Sequence, residues 1–457
     1  MKILIETYGC QMNVADSELM QGIFRDAGFE PAGSAGEADV VILNTCAVRE
    51  KAEARIFGRL TNLLPYKRAK RSMLIGVTGC MAKHLGEKII KHAPYVDFVV
   101  GPDRYRELPE ILAEARTRSV VSTDFLRTEQ YEGIESRRPG GICAWLTIQR
   151  GCNYVCSYCI VPFVRGAERA VPSMQVLAEA RRLVGSGFKV ITLLGQTVNS
   201  YDDGVMDFTG LLRELCKIEG LEQIRFTSPH PLGFSDALCD LIISEPKIAK
   251  FVHLPLQSAS DSVLERMGRG YCYDEYLRVV RRLRAGGVAV STDIIVGFCG
   301  ETDAEYAETR AALAELRFDF AFLFAYSERS LSVAARKMKD DVPASVKQER
   351  LAELIAMQQE ISREVYESYI GQRVAVLIES ESKRGNTQLV GNSSGFKTTL
   401  FERRGDFKPG DWVEVEVKSA TSQSLIGEIV RGLKVSTTAV EVEDSLAAGI
   451  SLGPRSE

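Results

Sequence analysis

No stretch of the 457 residues approaches the roughly 20 consecutive apolar residues that cross a bilayer. The opening Met1-Lys-Ile-Leu-Ile-Glu6 also lacks the apolar core of a secretion signal. No membrane partner is therefore expected, and the expected location is the cytoplasm. An excess of basic charge is missing too. With a formal net charge of −4, any nucleic-acid partner has to be held by local patches rather than by the field of the whole chain. Histidine is scarce, with four in all, which argues against a zinc site built from Cys and His pairs. Eleven cysteines in a reducing compartment point to metal ligands or buried thiols rather than a disulfide framework. What remains is an ordinary globular balance, 45% hydrophobic and 26% charged, in a chain long enough for several domains.

The most informative segment is Arg150-Gly-Cys-Asn-Tyr-Val-Cys-Ser-Tyr-Cys-Ile160. Its three thiols, Cys152, Cys156 and Cys159, have the C-x₃-C-x₂-C spacing of a four-iron cluster that lacks its fourth protein ligand. An iron left open in this way is where radical enzymes bind S-adenosylmethionine. The competing reading is three buried small hydrophobes.

Residues 1–126 alternate short apolar runs (Lys2–Glu6, Val40–Leu43, Met73–Val77, Val96–Val100) with amphipathic stretches such as Ala47–Leu64. This pattern predicts an open parallel α/β domain. The first three strands run into Cys10, Cys46 and Cys80. Loops leaving neighbouring parallel strands can converge, so these cysteines are candidates for one site. Unrelated residues at strand ends would give the same pattern. Residues 127–142, containing Gly133, Ser136, Arg137, Arg138, Pro139, Gly140 and Gly141, read as a linker.

Residues 143–368 carry six strand–helix units and a trailing helix. The strands expected are Ala144–Gln149, Lys189–Leu194, Gln223–Thr227, Phe251–Leu256, Val288–Val296 and Asp319–Tyr326. They predict a partial (β/α)6 barrel with its chemistry at the strand C-termini. The helix Ala344–Tyr369 has an apolar stripe of Leu351, Leu354, Ile355, Met357 and Ile361. Residues 369–432 switch to short alternating strands, Val374–Ile378, Thr398–Phe401, Asp411–Val417 and Leu425–Val430, predicting a small all-β barrel of a kind that often carries RNA. Residues 433–457 read as a mobile acidic tail.

On the barrel rim, Tyr158 offers a ring to a bound adenine. Gly195 and Gln196 end one strand with a donor and an acceptor suited to a methionyl group. Ser228, Gln257, Ile294 and Val296 lie at the ends of three more. Lys67, Arg68, Lys70 and Arg71, with Arg403 and Arg404, are the densest basic patches.

Together with the three-cysteine loop, the segments Tyr8-Gly-Cys-Gln-Met-Asn13, Ile160-Val-Pro-Phe-Val-Arg-Gly166 and Leu194-Gly-Gln-Thr-Val-Asn-Ser200 carry a resemblance. The chain to about residue 432 resembles the methylthiotransferase branch of the radical S-adenosylmethionine superfamily, with its N-terminal three-cysteine domain, central barrel and C-terminal TRAM domain. Gln11-Met12-Asn13 favours the members that act on isopentenylated adenosine at position 37 of tRNA.

The resemblance implies two [4Fe-4S] clusters. One, on Cys152, Cys156 and Cys159, cleaves S-adenosylmethionine to a 5′-deoxyadenosyl radical. The other, auxiliary, on Cys10, Cys46 and Cys80, holds the sulfur that becomes a methylthio group. Two uses of the cofactor per turnover, an electron donor of flavodoxin or ferredoxin type and a tRNA anticodon stem-loop as partner are implied with them. The sequence marks no sulfur donor. Arg165 is placed at the catalytic centre, where it could fix a polar group or form a surface ion pair.

Two residues depart from the branch's pattern: Cys299 where Pro is usual and Ala259 where Gly is common. The segment Gly391-Asn-Ser-Ser394 replaces one that often contains Arg. Other targets for the same chemistry are threonylcarbamoyladenosine and a ribosomal protein. From a different class, the alternative is a non-catalytic iron–sulfur protein that binds RNA.

Overall fold

The computed structural model describes residues 1–46, 50–138, 140–382 and 387–433. The start of the helix expected at Ala47, Pro139 of the linker and the tail from residue 434 lie outside the described residues. The first domain is a six-stranded, all-parallel sheet in the order β2-β1-β3-β4-β5-β6. Its strands are β1 (Lys2–Tyr8), β2 (Glu30–Pro31), β3 (Val40–Thr45), β4 (Leu74–Gly79), β5 (Phe98–Val100) and β6 (Val120–Ser122). The central strand β3 is buried along its whole length, as its unbroken run Val-Val-Ile-Leu requires. Helix α1 (Gln11–Asp26) packs on one face through Leu19, Met20, Ile23 and Phe24. Helix α2 (Glu50–Ala69) packs on the other through Ile56, Leu60 and Leu63. Cys10, Cys46 and Cys80 follow the three adjacent strands β1, β3 and β4.

The barrel domain consists of two three-stranded parallel sheets. One pairs β7 (Cys143–Thr147), β10 (Val190–Leu194) and β11 (Gln223–Phe226); the other pairs β12 (Phe251–His253), β13 (Ala289–Val296) and β14 (Ala321–Ala325). The hydrogen bonds Ile224 N to Lys247 O and Ala249 N to Ile224 O join them across the gap. Strand β12 ends three residues earlier than expected because Pro255 has no N–H for the ladder. The short antiparallel pair β8 (Gln149–Arg150) and β9 (Arg169–Ala170) brackets the loop that carries the three cysteines.

The trailing helix Ala344–Glu367 buries Lys347, Arg350, Leu354, Gln358 and Ile361, whereas Ile355 of the expected stripe is 39% exposed. The face is polar because its polar groups are paired. Arg350 contacts Glu301 and Asp303, both at 2.6 Å, and Gln358 donates to the Phe318 carbonyl. The C-terminal domain is a closed barrel of five strands, not four: β15 (Arg373–Glu381), β16 (Gln388–Ser393), β17 (Thr398–Glu402), β18 (Trp412–Ala420) and β19 (Leu425–Leu433). The missed strand β16 contains Gly391, which reads as a turn residue. A Cβ there would stand 2.2 Å from the Leu377 carbonyl oxygen, so glycine is what lets β16 lie against β15.

The first domain docks on the barrel by placing Met12 and Ala15 of α1 against Leu194 and Trp145. At the border of that contact, Arg138 reaches Glu18 (3.3 Å) and Glu179 (3.0 Å). Burial pushes the Glu18 carboxyl up to about 7 from 4.5, against the pull of Arg138. The native chain thus keeps a proton that the unfolded chain gives up. The stability from this proton is complete below pH 4.5 and is lost as pH rises through about 7. Glu18→Gln should match wild type near pH 4.5 and exceed it at pH 8. Urea unfolding followed by Trp145 fluorescence at the two pH values measures this; equal pH dependence of both proteins would refute it.

Candidate active site

The elements that carry the two cysteine sets pack against each other. Cys80 opens the short helix Cys80–Leu85, and Cys80 packs with Ile160 and Val164, the residues that follow Cys159. Arg165 ends that segment. It is 3% exposed, its Nε donates to Cys80 Sγ at 3.0 Å, and its Nη1 lies 2.7 Å from Asp16 Oδ2. Asp16, fully buried on α1, also accepts from Arg150 Nη1 at 2.8 Å. One carboxylate of the first domain therefore holds the two arginines that flank the three-cysteine loop of the barrel. The Asp16 carboxyl is desolvated, yet its two arginine partners hold it below the usual carboxylate range. Arg165 is thus no surface ion pair.

Cys10 is held by Asn13, whose Oδ1 accepts from the Cys10 N–H at 3.3 Å while its Nδ2 donates to Asn44 Oδ1 and Thr45 O. A hydrogen bond with Cys46 pulls the Cys10 thiol down to about 6, with burial opposing and Arg165 assisting. Burial raises Cys80. In the other set, Cys156 accepts from Arg269 Nη1 at 3.3 Å, and Cys152 contacts Thr197 Oγ1 at 3.3 Å. Burial raises Cys152 and pushes Cys159 up to about 12.

Among the described residues no three His, Cys, Asp or Glu side chains stand close enough to share a single metal ion. That does not test a four-iron cluster. A lone zinc draws thiolates to about 2.3 Å from one point, whereas a cluster takes one thiolate on each iron and its ligands ring a larger body. The donor set fits such clusters. Each site offers three thiols and one buried arginine to offset their negative charge, and Nη2 of Arg165 has no hydrogen-bond partner.

The remaining expected residues divide. Gln196 Oε1 accepts from Gly151 N at 2.5 Å and so fixes the start of the loop. The side chains of Ile294 and Val296 are fully buried in the barrel core, so β13 can offer a ligand only backbone there. Gly195 is buried beside Val198, whereas Ser228 is exposed at the rim with φ +58°. Gln257, with φ +73°, bridges β12 and β13 through Asp293 O and Ile295 N. Tyr158 packs its ring beside Val263, Met267 and Phe298, and its hydroxyl accepts from Arg269.

The basic patch at 67–71 lies at the end of α2 that leads into β4, the opposite end of the sheet from the cysteines. There Lys67 pairs with Asp97 and Lys70 with Asp39, leaving Arg68 and Arg71 exposed. Arg403 and Arg404 pair with Glu381 and Glu428. Asp16, Arg150 and Arg269 have no assigned role in the sequence reading, and Asn13 enters it only as part of a family segment. Their signal was there: Asn13, Asp16 and Ser17 form a polar stripe at helical spacing on a buried face.

Comparison with known proteins gives first the class. Residues 146–313 match the Radical SAM superfamily, residues 2–101 the Uncharacterized protein family UPF0004, and residues 367–430 the TRAM domain. Solved structures share the fold. The radical S-adenosylmethionine methyltransferase TsrM from Kitasatospora setae is 14% identical with a TM-score of 0.55, covering 73% of this chain and 74% of its own. The cobalamin-dependent radical enzyme OxsB reaches 0.52 at 12% identity, covering 79% and 56%. The chain is thus a radical S-adenosylmethionine enzyme.

Curated relatives narrow the class. A tRNA-2-methylthio-N(6)-dimethylallyladenosine synthase of Chlorobium phaeovibrioides is 45% identical over 93% of this chain and 95% of its own length. Those of Chlorobium limicola and Chlorobaculum tepidum are each 43% identical over 93% of this chain and 97% of theirs. The chain belongs to the tRNA-2-methylthio-N(6)-dimethylallyladenosine synthase family.

Gly151, with φ +81°, opens the three-cysteine loop, and a Cβ there would meet the Ala167 carbonyl oxygen at 1.9 Å. Gly151→Ala should therefore displace this loop and remove the roughly four irons per chain that a cluster on it would take up on reconstitution. Full iron loading of the variant would refute it. Asp16→Asn leaves two buried guanidinium groups without their counter-charge. A loss of about 3–5 kcal/mol in urea unfolding is expected, and a change within about 1 kcal/mol would contradict the assigned role.

Proposed function

We propose that this chain adds a methylthio group to C2 of N6-isopentenyladenosine at position 37 of tRNA, with two [4Fe-4S] clusters and S-adenosylmethionine. The observation that carries the reading is the packing of the segment that follows Cys159, ending in Arg165, on Cys80 of the first domain, in a chain of this family. When bound, a cluster on Cys152, Cys156 and Cys159 with S-adenosylmethionine supplies a radical able to take an unactivated hydrogen, and one on Cys10, Cys46 and Cys80 supplies the seat for sulfur.

The chain's own residues prepare the place. Ile160 and Val164 put apolar surface against Cys80, where the two domains meet. Arg165 contributes a positive charge there that does not titrate, and Asp16 fixes its position. Arg269, buried and bonded to Cys156, Tyr158, Tyr271 and the Pro255 carbonyl, holds the other face of the radical site. Gln196 secures Gly151, and Thr197 contacts Cys152, so the loop is positioned before any ligand enters.

The anticodon stem-loop would present its adenosine unstacked to this site. A flavodoxin- or ferredoxin-type electron donor completes the reading. Reconstituted enzyme should turn over an anticodon stem-loop that carries the isopentenyl group at least tenfold faster than the unmodified one. Equal rates on both would refute the substrate assignment, and preference for a threonylcarbamoyl stem-loop would redirect it.

A further inference from the structure

A line of aromatic rings outside every buried core cluster runs from the tip of the C-terminal barrel into the lumen of the central one. Phe396, between β16 and β17, stacks on Phe251 of β12 with centroids 5.0 Å apart and planes at 21°. Phe251 stacks on Phe320 at 6.0 Å and 13°, and Phe320 on His253 at 6.4 Å and 16°. Phe322 of β14 meets both Phe320 and His253 edge-on. Phe322 is 48% exposed and Phe396 36%, an unusual degree for large apolar rings gathered in one patch.

The line is held rigidly, at a cost. Phe396 has φ +60°, the left-handed region that a bulky residue avoids. The strain is retained by the turn around it: Phe396 N donates to Ser393 O, Lys397 N to Ser393 Oγ, Lys250 N to Ser394 O, and Lys397 pairs with Asp319. Arg225 lies 4.9 Å over the Phe396 ring and is itself fixed by Glu379. His253 is set by Ser291 Oγ at 2.8 Å and faces Asp293 at 3.4 Å. The cations here are paired with carboxylates, so the patch presents flat rings rather than charge, which suits bases and not phosphates.

Resting on the function proposed above, we infer that Phe396, Phe251, Phe320, His253 and Phe322 form a stacking platform for unpaired RNA bases that flank the target adenosine. Strained placement of Phe396, near-parallel planes and the partial exposure of Phe396 and Phe322 at the two ends of the line are what an RNA loop with splayed bases needs. They are not what a packed interdomain core needs.

The test is binding of an isopentenylated anticodon stem-loop to full-length reconstituted protein, read by fluorescence anisotropy. Phe322→Leu and Phe396→Gly should each weaken binding roughly fivefold to a hundredfold. Glycine suits the backbone at 396, so stability is expected to hold there, and Phe322→Trp should retain wild-type affinity. Iron content and RNA-independent cleavage of S-adenosylmethionine should stay unchanged in all three. Unchanged RNA affinity in the Leu and Gly variants overturns the platform. So does a loss confined to RNA that carries the isopentenyl group, which would make the rings a seat for that chain. So does a Trp variant as weak as Leu, which would mark a packing role. Failure of the wild-type chain to bind the stem-loop would overturn the function itself.

Discussion

The site depends on one buried carboxylate. Asp16 is fully desolvated, and burying a lone charge costs several kcal/mol, so it is tenable only with its cations in place. Those cations, Arg150 and Arg165, belong to the barrel domain and stand on either side of the three-cysteine loop. The pairing therefore does more than join two domains. It fixes the angle at which they join and delivers the Arg165 Nε to Cys80. Around it, Tyr105 and Tyr131 complete the shell: Tyr105 donates to Asp16 and the Tyr131 ring lies 4.9 Å beneath Arg150. A neutral, well-packed interface could bind the domains as strongly. It would not specify which cysteine faces which.

Convergence of the cysteines follows from topology. Parallel strands leave their C-termini on one edge, and β1, β3 and β4 are neighbours, so three residues far apart in sequence share one edge of the sheet. The barrel applies the same rule to its own loop after β7. Where the two edges meet, Ile160 and Val164 pack on Cys80. Distance between the two cysteine sets is thus set by how α1 seats on β7 and β10, where Met12 and Ala15 meet Trp145 and Leu194.

Much of this was legible in the sequence. The C-x₃-C-x₂-C spacing and the repeated strand-to-cysteine pattern gave the two sites, because ligand chemistry restricts residue type and spacing together. The alternation of strands and helices and the switch to short strands near the C-terminus were also readable from periodicity. Residues whose role is to hold another residue were not. Gln196 reads as a ligand donor from its chemistry, yet it spends its oxygen on Gly151 N. Ile294 and Val296 sit at a strand end facing a rim, yet alternation turns both into the core. Gln11-Met12-Asn13 reads as a substrate mark, but Asn13 serves Cys10 and Met12 serves the domain contact. Lys67 and Lys70 read as free charge and are paired within the first domain. For Gln196, Met12, Lys67 and Lys70 a partner distant in sequence decides the outcome.

The cations bonded to the cysteines have a common property. They are arginines, which keep their proton at any working pH. Burial and Arg269 hold His230, near the barrel mouth, well down at about 3, so it stays neutral and is a feeble base. A site that removed a proton would need a group poised near neutrality. Removal of a hydrogen as an atom needs no such base. Fixed guanidinium groups beside Cys80 and Cys156 supply positive charge that offsets thiolates, and the proposed radical chemistry is compatible with that arrangement.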